Sequence, residues 1–286
     1  MLYERRANLQ IGRYQEEGLM LDGFRIAFTV NKSITDEPNS ATIEVSNLST
    51  GTRNKIRSAP GELAILRAGY AAQGELPVIY IGNMTNIAHD IMPPTITTRI
   101  ESSDGQDAIR TSVVNLSFEQ GTDARVVVQE LISKIGLPLQ RATSIIEELP
   151  EMIFNNGFSF EGFATDAMNK LSADLDFNWS VQNNELKITR KKRSSALVAI
   201  RLNSDSGLIN SPVRIRDVDL DDPEKTFIGW EIEALLQPKA EPADIIEVES
   251  REISPAAQFE IHDITHTGDT HGDVWTTKMR IRDLNS

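Results

Sequence analysis

The chain has 286 residues, of which 40% are apolar and 25% charged, with 42 acidic against 29 basic side chains and a formal net charge of −13. That composition suits an ordinary globular protein with room for two or three cores, and its acidity excludes a nucleic-acid reader, which needs a basic face. The absence of cysteine excludes disulfides, thiolate nucleophiles and sulfur-ligated metals, and no apolar run approaches the length of a membrane span.

The start, Met1-Leu2-Tyr3-Glu4-Arg5-Arg6, leads into polar sequence, so no cleaved secretion signal is expected. Phe24, Ile26, Phe28 and Val30 alternate with polar or small residues, as do Ala41, Ile43 and Val45. This period of two predicts two half-buried strands, joined as a hairpin by the turn residues Asp36-Glu37-Pro38-Asn39-Ser40. Ser49 can cap a short helix from Thr50 to Ile56, ended by Pro60-Gly61. Strands follow at Leu63–Tyr70, Val78–Asn83 and Thr95–Glu101. Residues 1–110 therefore read as an antiparallel β domain, a barrel or sandwich.

The middle changes character. A strand at Val113–Phe118 precedes a helix capped by Thr122 or Asp123, with Val127, Val128, Leu131, Ile132 and Ile135 at helical spacing and Gly136 at its end. A second helix is expected from about Ser159, with Phe160, Phe163, Ala164, Ala167, Met168 and Leu171 on one face. The segments Phe177–Val181 and Leu186–Thr189 flank the turn Gln182-Asn183-Asn184. Residues 111–195 thus read as a small α/β module, closed by the basic run Arg190-Lys191-Lys192-Arg193 and Ser194-Ser195, taken as a solvated boundary.

From residue 196 to 286 the β pattern returns, at Val213 and Ile215, at Trp230, Ile232 and Ala234, at Ile246 and Val248, and in the pair Phe259–His266 and Trp275–Arg282. This block parallels the first. Ala41–Val45 matches Gly229–Ala234, and Leu63–Leu66 matches Ile245–Val248. Ile87-Ala88-His89 with Thr97–Asp104 matches Ile264-Thr265-His266 with Thr276–Asp283. A supersecondary pattern met twice in one chain points to duplication. The second copy lacks the capped helix and carries Pro238 and Pro242 instead.

The densest polar cluster is His262, Asp263, His266, Asp269, His271 and Asp273. Histidines and carboxylates at such spacing could bind a divalent metal, which would admit a metal-dependent hydrolase of the cell envelope as the alternative function. The candidate ligand set is His262, His266, Asp269 and His271. Against it, the even spacing of His262 and His266 puts both on one face of a strand, and Thr267–Asp273 has the Gly and Asp content of a hairpin loop. No catalytic triad, P-loop or dinucleotide fingerprint is present, so the chain reads as a non-enzyme with no cofactor and no catalytic residues.

Several stretches resemble the baseplate hub proteins of tailed bacteriophages, including the late-control D group. They are Phe24–Lys32 with Pro38–Ser49, Ser117–Leu137 with Gly157–Ile188, Ser206–Pro212, and His262–Thr277. Their order along the chain carries the resemblance. It implies a mainly β (α+β overall) protein with two tail-tube-like antiparallel β-barrel or sandwich domains flanking the α/β module. It also implies a homotrimeric ring with pseudo-sixfold symmetry at the tail tip, assembled in the host cytoplasm. The implied partners are the tail tube protein, a spike or tip protein and the tape-measure protein, with DNA passing through an acidic lumen unbound. Another tube-like distal tail protein is the nearer alternative.

Overall fold

A computed structural model of the chain describes residues 4–12, 18–35, 37–58, 62–105, 111–139, 144–190, 198–218 and 226–284. Strands β1 (Arg5–Gly12) and β2 (Leu19–Leu21) pair antiparallel, and β3 (Ile26–Ser33) and β4 (Ser40–Ser46) form the expected hairpin. Helix α1 (Thr50–Arg57) starts at Ser49, whose hydroxyl accepts from the Thr52 N–H, as the capping residue predicts. Then come β5 (Leu63–Tyr70), the long β6 (Val78–Met92) and β7 (Thr95–Ser103).

The central segment holds β8 (Val113–Phe118), β9 (Thr122–Asp123), α2 (Ala124–Ile135), α3 (Ser144–Glu147), β10 (Ile153–Phe154), β11 (Phe158–Phe163), α4 (Ala164–Asp174), β12 (Phe177–Gln182) and β13 (Glu185–Arg190). Asp123 caps α2 and Gly136 ends it in the left-handed conformation. One expectation is corrected. Residues Ser159–Phe163 are not the start of a helix but a strand in register with β8, and α4 begins only at Ala164. Phe158 and Phe160 turn into the core this way, while Phe163 is left exposed.

The last third contains β14 (Val198–Leu202), β15 (Leu208–Asp217), β16 (Phe227–Leu235), β17 (Ile245–Val248), β18 (Ala257–Asp269) and β19 (Trp275–Asp283). The basic run at 191–193 and the serines at 194–195 lie outside the described residues.

The protein is mainly β with a few helices. One 13-stranded, largely antiparallel sheet takes strands from both ends of the chain, and three two-stranded sheets serve the middle. Within the large sheet the order β3-β4-β7-β6-β5 is followed again as β15-β16-β19-β18-β17. The next strand differs, since β1 joins β5 antiparallel and carries β2 beyond it, whereas β14 joins β17 parallel. The two series are fused where β3 pairs with the distal half of β18, from Asp263 opposite Ser33 to Asp269 opposite Ala27. Where two separate barrels or sandwiches are expected, the described strands form this continuous sheet and close no barrel. The edge of β3 is taken by β18, so the first series cannot close on itself through that strand.

Three apolar cores accompany these groups. The first gathers residues from Ala7 to Ile100, yet also takes in Leu236 and Trp275 from the far end of the chain. The second lies between α2, α4 and the small strands of the middle. The third is built on β16 to β19.

Candidate assembly site at the repeat junction

The hairpins β6–β7 and β18–β19 are equivalent in more than outline. Each carries one register shift, between Met84 and Asn86 in the first and between Ile261 and Asp263 in the second, so Thr85 and His262 occupy matching bulges. Beyond the bulge, His89 stands opposite Thr98 and His266 opposite Thr277. The ring Nδ1 of His89 shares a hydrogen bond of 3.1 Å with the Thr98 hydroxyl, and that of His266 one of 2.8 Å with Thr277. In both rings Nε2 is buried without a hydrogen-bond partner. The duplication therefore extends to a cross-strand side-chain pair.

The candidate ligand residues are not brought together. His266 is fully buried, and burial drives its imidazole down to about 3, so it is neutral in the folded chain. The bulge reverses the parity that the even spacing implied. His262 instead lies beside Asp263, at 2.9 Å, and edge-on to Phe227, on the side of the sheet that carries Arg280. Asp269 is held by Arg25 through a short 2.7 Å contact and accepts from the His271 N–H, which holds its carboxyl below the usual range. The His271 ring meets the hydroxyl of Thr270 through Nδ1. No group of three or more metal-ligating side chains occurs among the described residues.

A polar cluster that the sequence analysis did not single out lies where the middle segment meets both β series. The side-chain amide of Asn39, in the β3–β4 turn, donates to the Val181 carbonyl at 2.6 Å, to Gln182 at 3.1 Å and to Asp104 at 3.3 Å. Gln182 donates to the Ser33 carbonyl, and the Asn184 N–H donates to Asp104 at 2.7 Å. Lys32, only 4% exposed, donates to Asn183 at 3.1 Å. Lys187 reaches the other series, donating to the Pro242 carbonyl at 2.6 Å and to Asp244 at 3.2 Å. Burial pushes Asp104 up to about 6 and lowers Lys32. Buried polar groups satisfied in this way tie an arrangement to one geometry. The sequence signal was limited to Asn183-Asn184, read there as a turn; both residues have positive φ.

Several strand edges stay open among the described residues, β2 and β14 included, and two of them lie at positions that the strand order makes counterparts of the β3–β18 joint. β15 pairs with β16 on one side and with no strand on the other, among the described residues. The distal half of β6, from Asn86 to Met92, pairs with β7 alone, because β5 leaves it at Asn83. The equivalent half of β18 is the stretch that β3 covers. Apolar side chains sit at both open edges, with Val213 59%, Ile91 60% and Met92 68% exposed.

No protein-family model matches the sequence, and no curated protein matches it. Solved structures do share its fold. The tail protein of Neisseria meningitidis MC58 superposes with a TM-score of 0.65 at 10% identity, covering 98% of this chain and 97% of that one. The 43 kDa tail protein of prophage MuSo2 from Shewanella oneidensis gives 0.65 at 12% identity, with the same 98% and 97% coverage. The E. coli c3393 protein, a component of the type VI secretion system with structural similarity to the T4 bacteriophage tail proteins gp27 and gp5, gives 0.58 at 10% identity, covering 96% of this chain and 76% of that one. The chain thus has the fold of phage tail proteins across nearly its whole length.

Proposed function

We propose that this chain is a structural, non-catalytic subunit of a bacteriophage tail baseplate hub. Three copies close a ring that offers six similar β units to the tail tube while keeping threefold symmetry for a spike below. One observation carries this reading. The same strand order occurs twice in one chain, and the two series are already fused side by side through β3 and β18. A head-to-tail joint of this kind closes into a ring when its rotation allows, and duplication lets three chains supply six units.

In this reading residues 1–110 and 196–286 are the two tube-like domains, each completed by neighbours in the ring. Residues 111–195 are the module that braces them. The tail tube, the spike or tip protein and the tape-measure protein are its partners, and its place is the tail tip. A net charge of −13 fits a channel that DNA crosses by repulsion, without binding.

Copy number in assembled tails tests the proposal, by a symmetry-resolved density map or quantitative mass spectrometry. Three copies in a threefold ring at the tube's end are expected. Isolated monomers in the tail would overturn it, and a larger ring would indicate a distal tail component instead.

A further inference from the structure

We infer that the open edge of β15 in one subunit pairs antiparallel with the distal half of β6 in the next, in the register that β3 and β18 use within the chain. The inference rests on the ring reading above and adds the residues that make its joint.

The intrachain joint is the template. His266 of β18 stands opposite Val30 of β3, and Thr265 opposite Asn31. The bulges at Thr85 and His262, with the His–Thr pairs beyond them, align the two hairpins residue by residue, so His89 takes the place of His266 and Ala88 that of Thr265. Since Thr98 matches Thr277, the ladders of β4 on β7 and β16 on β19 make Val45 equivalent to Ala234 and Ala41 to Trp230. Val30 pairs with Ala41 and Arg214 pairs with Trp230, so Arg214 occupies the place of Val30 and Ile215 that of Asn31. The joint then sets Asn86–Asp90 against residues 217 to 213 of the partner subunit, with His89 opposite the partner's Arg214 and Ala88 opposite the partner's Ile215.

The local chemistry agrees. An unpaired edge leaves a row of N–H and C=O groups without ladder partners, and proteins normally blunt such edges. β15 does so only in its first half, where the register shifts between Ile209 and Val213 and Pro212 removes a donor. From Val213 to Asp217 the ladder edge is regular and open, long enough to pair with Asn86–Asp90, five of the seven residues of β6 that await a partner. A second copy of this chain is the occupant because the chain already binds its own equivalent edge in this way.

The test uses the absence of cysteine. Thr265 Oγ1 donates to Asn31 Oδ1 at 3.0 Å, so side chains at the matching positions meet. An Ala88→Cys/Ile215→Cys chain, oxidised at concentrations where native mass spectrometry detects rings, should give covalent dimers and trimers that reductant dissolves. Mixing the two single variants should stop at dimers. An Ala88→Cys/Val213→Cys chain, shifted by two residues, should cross-link at least tenfold less. Rings without cross-links, or equal cross-linking in the shifted pair, overturn the joint while leaving the ring intact. Absence of rings at all concentrations and in tails overturns both.

Discussion

The hairpins β6–β7 and β18–β19 share a bulge, a His–Thr pair and a place in the strand order, yet one is sealed and the other bare. β18 is paired along its edge with β3, His266 is fully buried, and Trp275 meets Phe28 edge-on at 5.4 Å. At the matching point of β6, Ile91 and Met92 face solvent and His89 is only half-buried. Residue choice follows the cover. Gly268 sits where a Cβ would come within 2.4 Å of the Phe28 ring, whereas the bare copy holds Ile91 there. Where Trp275 fills the first core, the bare copy has the half-buried Ile96. The same supersecondary unit is therefore tuned to a different neighbour at each position, and the bare unit keeps apolar residues where a neighbour is still to come.

The largest expected effect breaks the sealed hairpin. Trp275→Ala should cost about 3–5 kcal/mol in urea unfolding, since it empties a fully buried aromatic site shared by both series. Ile96→Ala, its counterpart, should cost well under half as much in the isolated chain. A Gly268→Ile exchange, which copies the bare hairpin into the sealed one, should cost about 1–3 kcal/mol by overpacking against Phe28 and Trp275. The reciprocal Ile91→Gly should leave the thermal midpoint of the monomer nearly unchanged and weaken ring formation.

Proton binding sharpens the same contrast. His266 has a folded pKa depressed from 6.5 to about 3, so its neutral form stabilises the fold fully above pH 6.5. That stability is lost as the pH falls from 6.5 toward 3, at about 1.4 kcal/mol per pH unit. Asp104 works in the opposite sense. Its folded pKa is raised from 3.8 to about 6, so its contribution is present below 3.8 and is lost as the pH rises through 6. The two oppose each other between these limits, and Asp104→Asn should make the decline on acidification steeper in denaturation curves between pH 6 and 4. His89 is lowered less deeply, by burial and by Arg57 and Arg53. In NMR titration of the monomer it should protonate at a higher pH than His266, and ring closure should bring the two together.

Much of this was legible locally. Caps at Ser49 and Asp123, the left-handed Gly136 and the period-two runs from Phe24 to Val45 all place elements where they occur, because each depends on neighbours a few residues away. β1 was legible too, in Ala7, Leu9 and Ile11 alternating with Asn8 and Gln10, though it was not among the expected strands. The start of α4 was misread because Phe160 and Phe163 also suit helical spacing; pairing with β8, 40 to 50 residues earlier, decided in favour of a strand. The bulge at His262 could not be read from even spacing, since one extra residue reverses the parity on which that spacing relies.

The sequence by itself determined the elements and their repetition, because burial pattern, caps and turn residues act over short distances and survive duplication. Only the tertiary structure decided which edge meets which. It fused β3 to β18, gathered Asn39, Asp104, Lys32 and Asn183 from separate segments into one buried cluster, and gave two matching histidines different surroundings. Alternation tells which face of a strand is buried but carries no information about the strand beside it, since every ladder offers the same N–H and C=O groups.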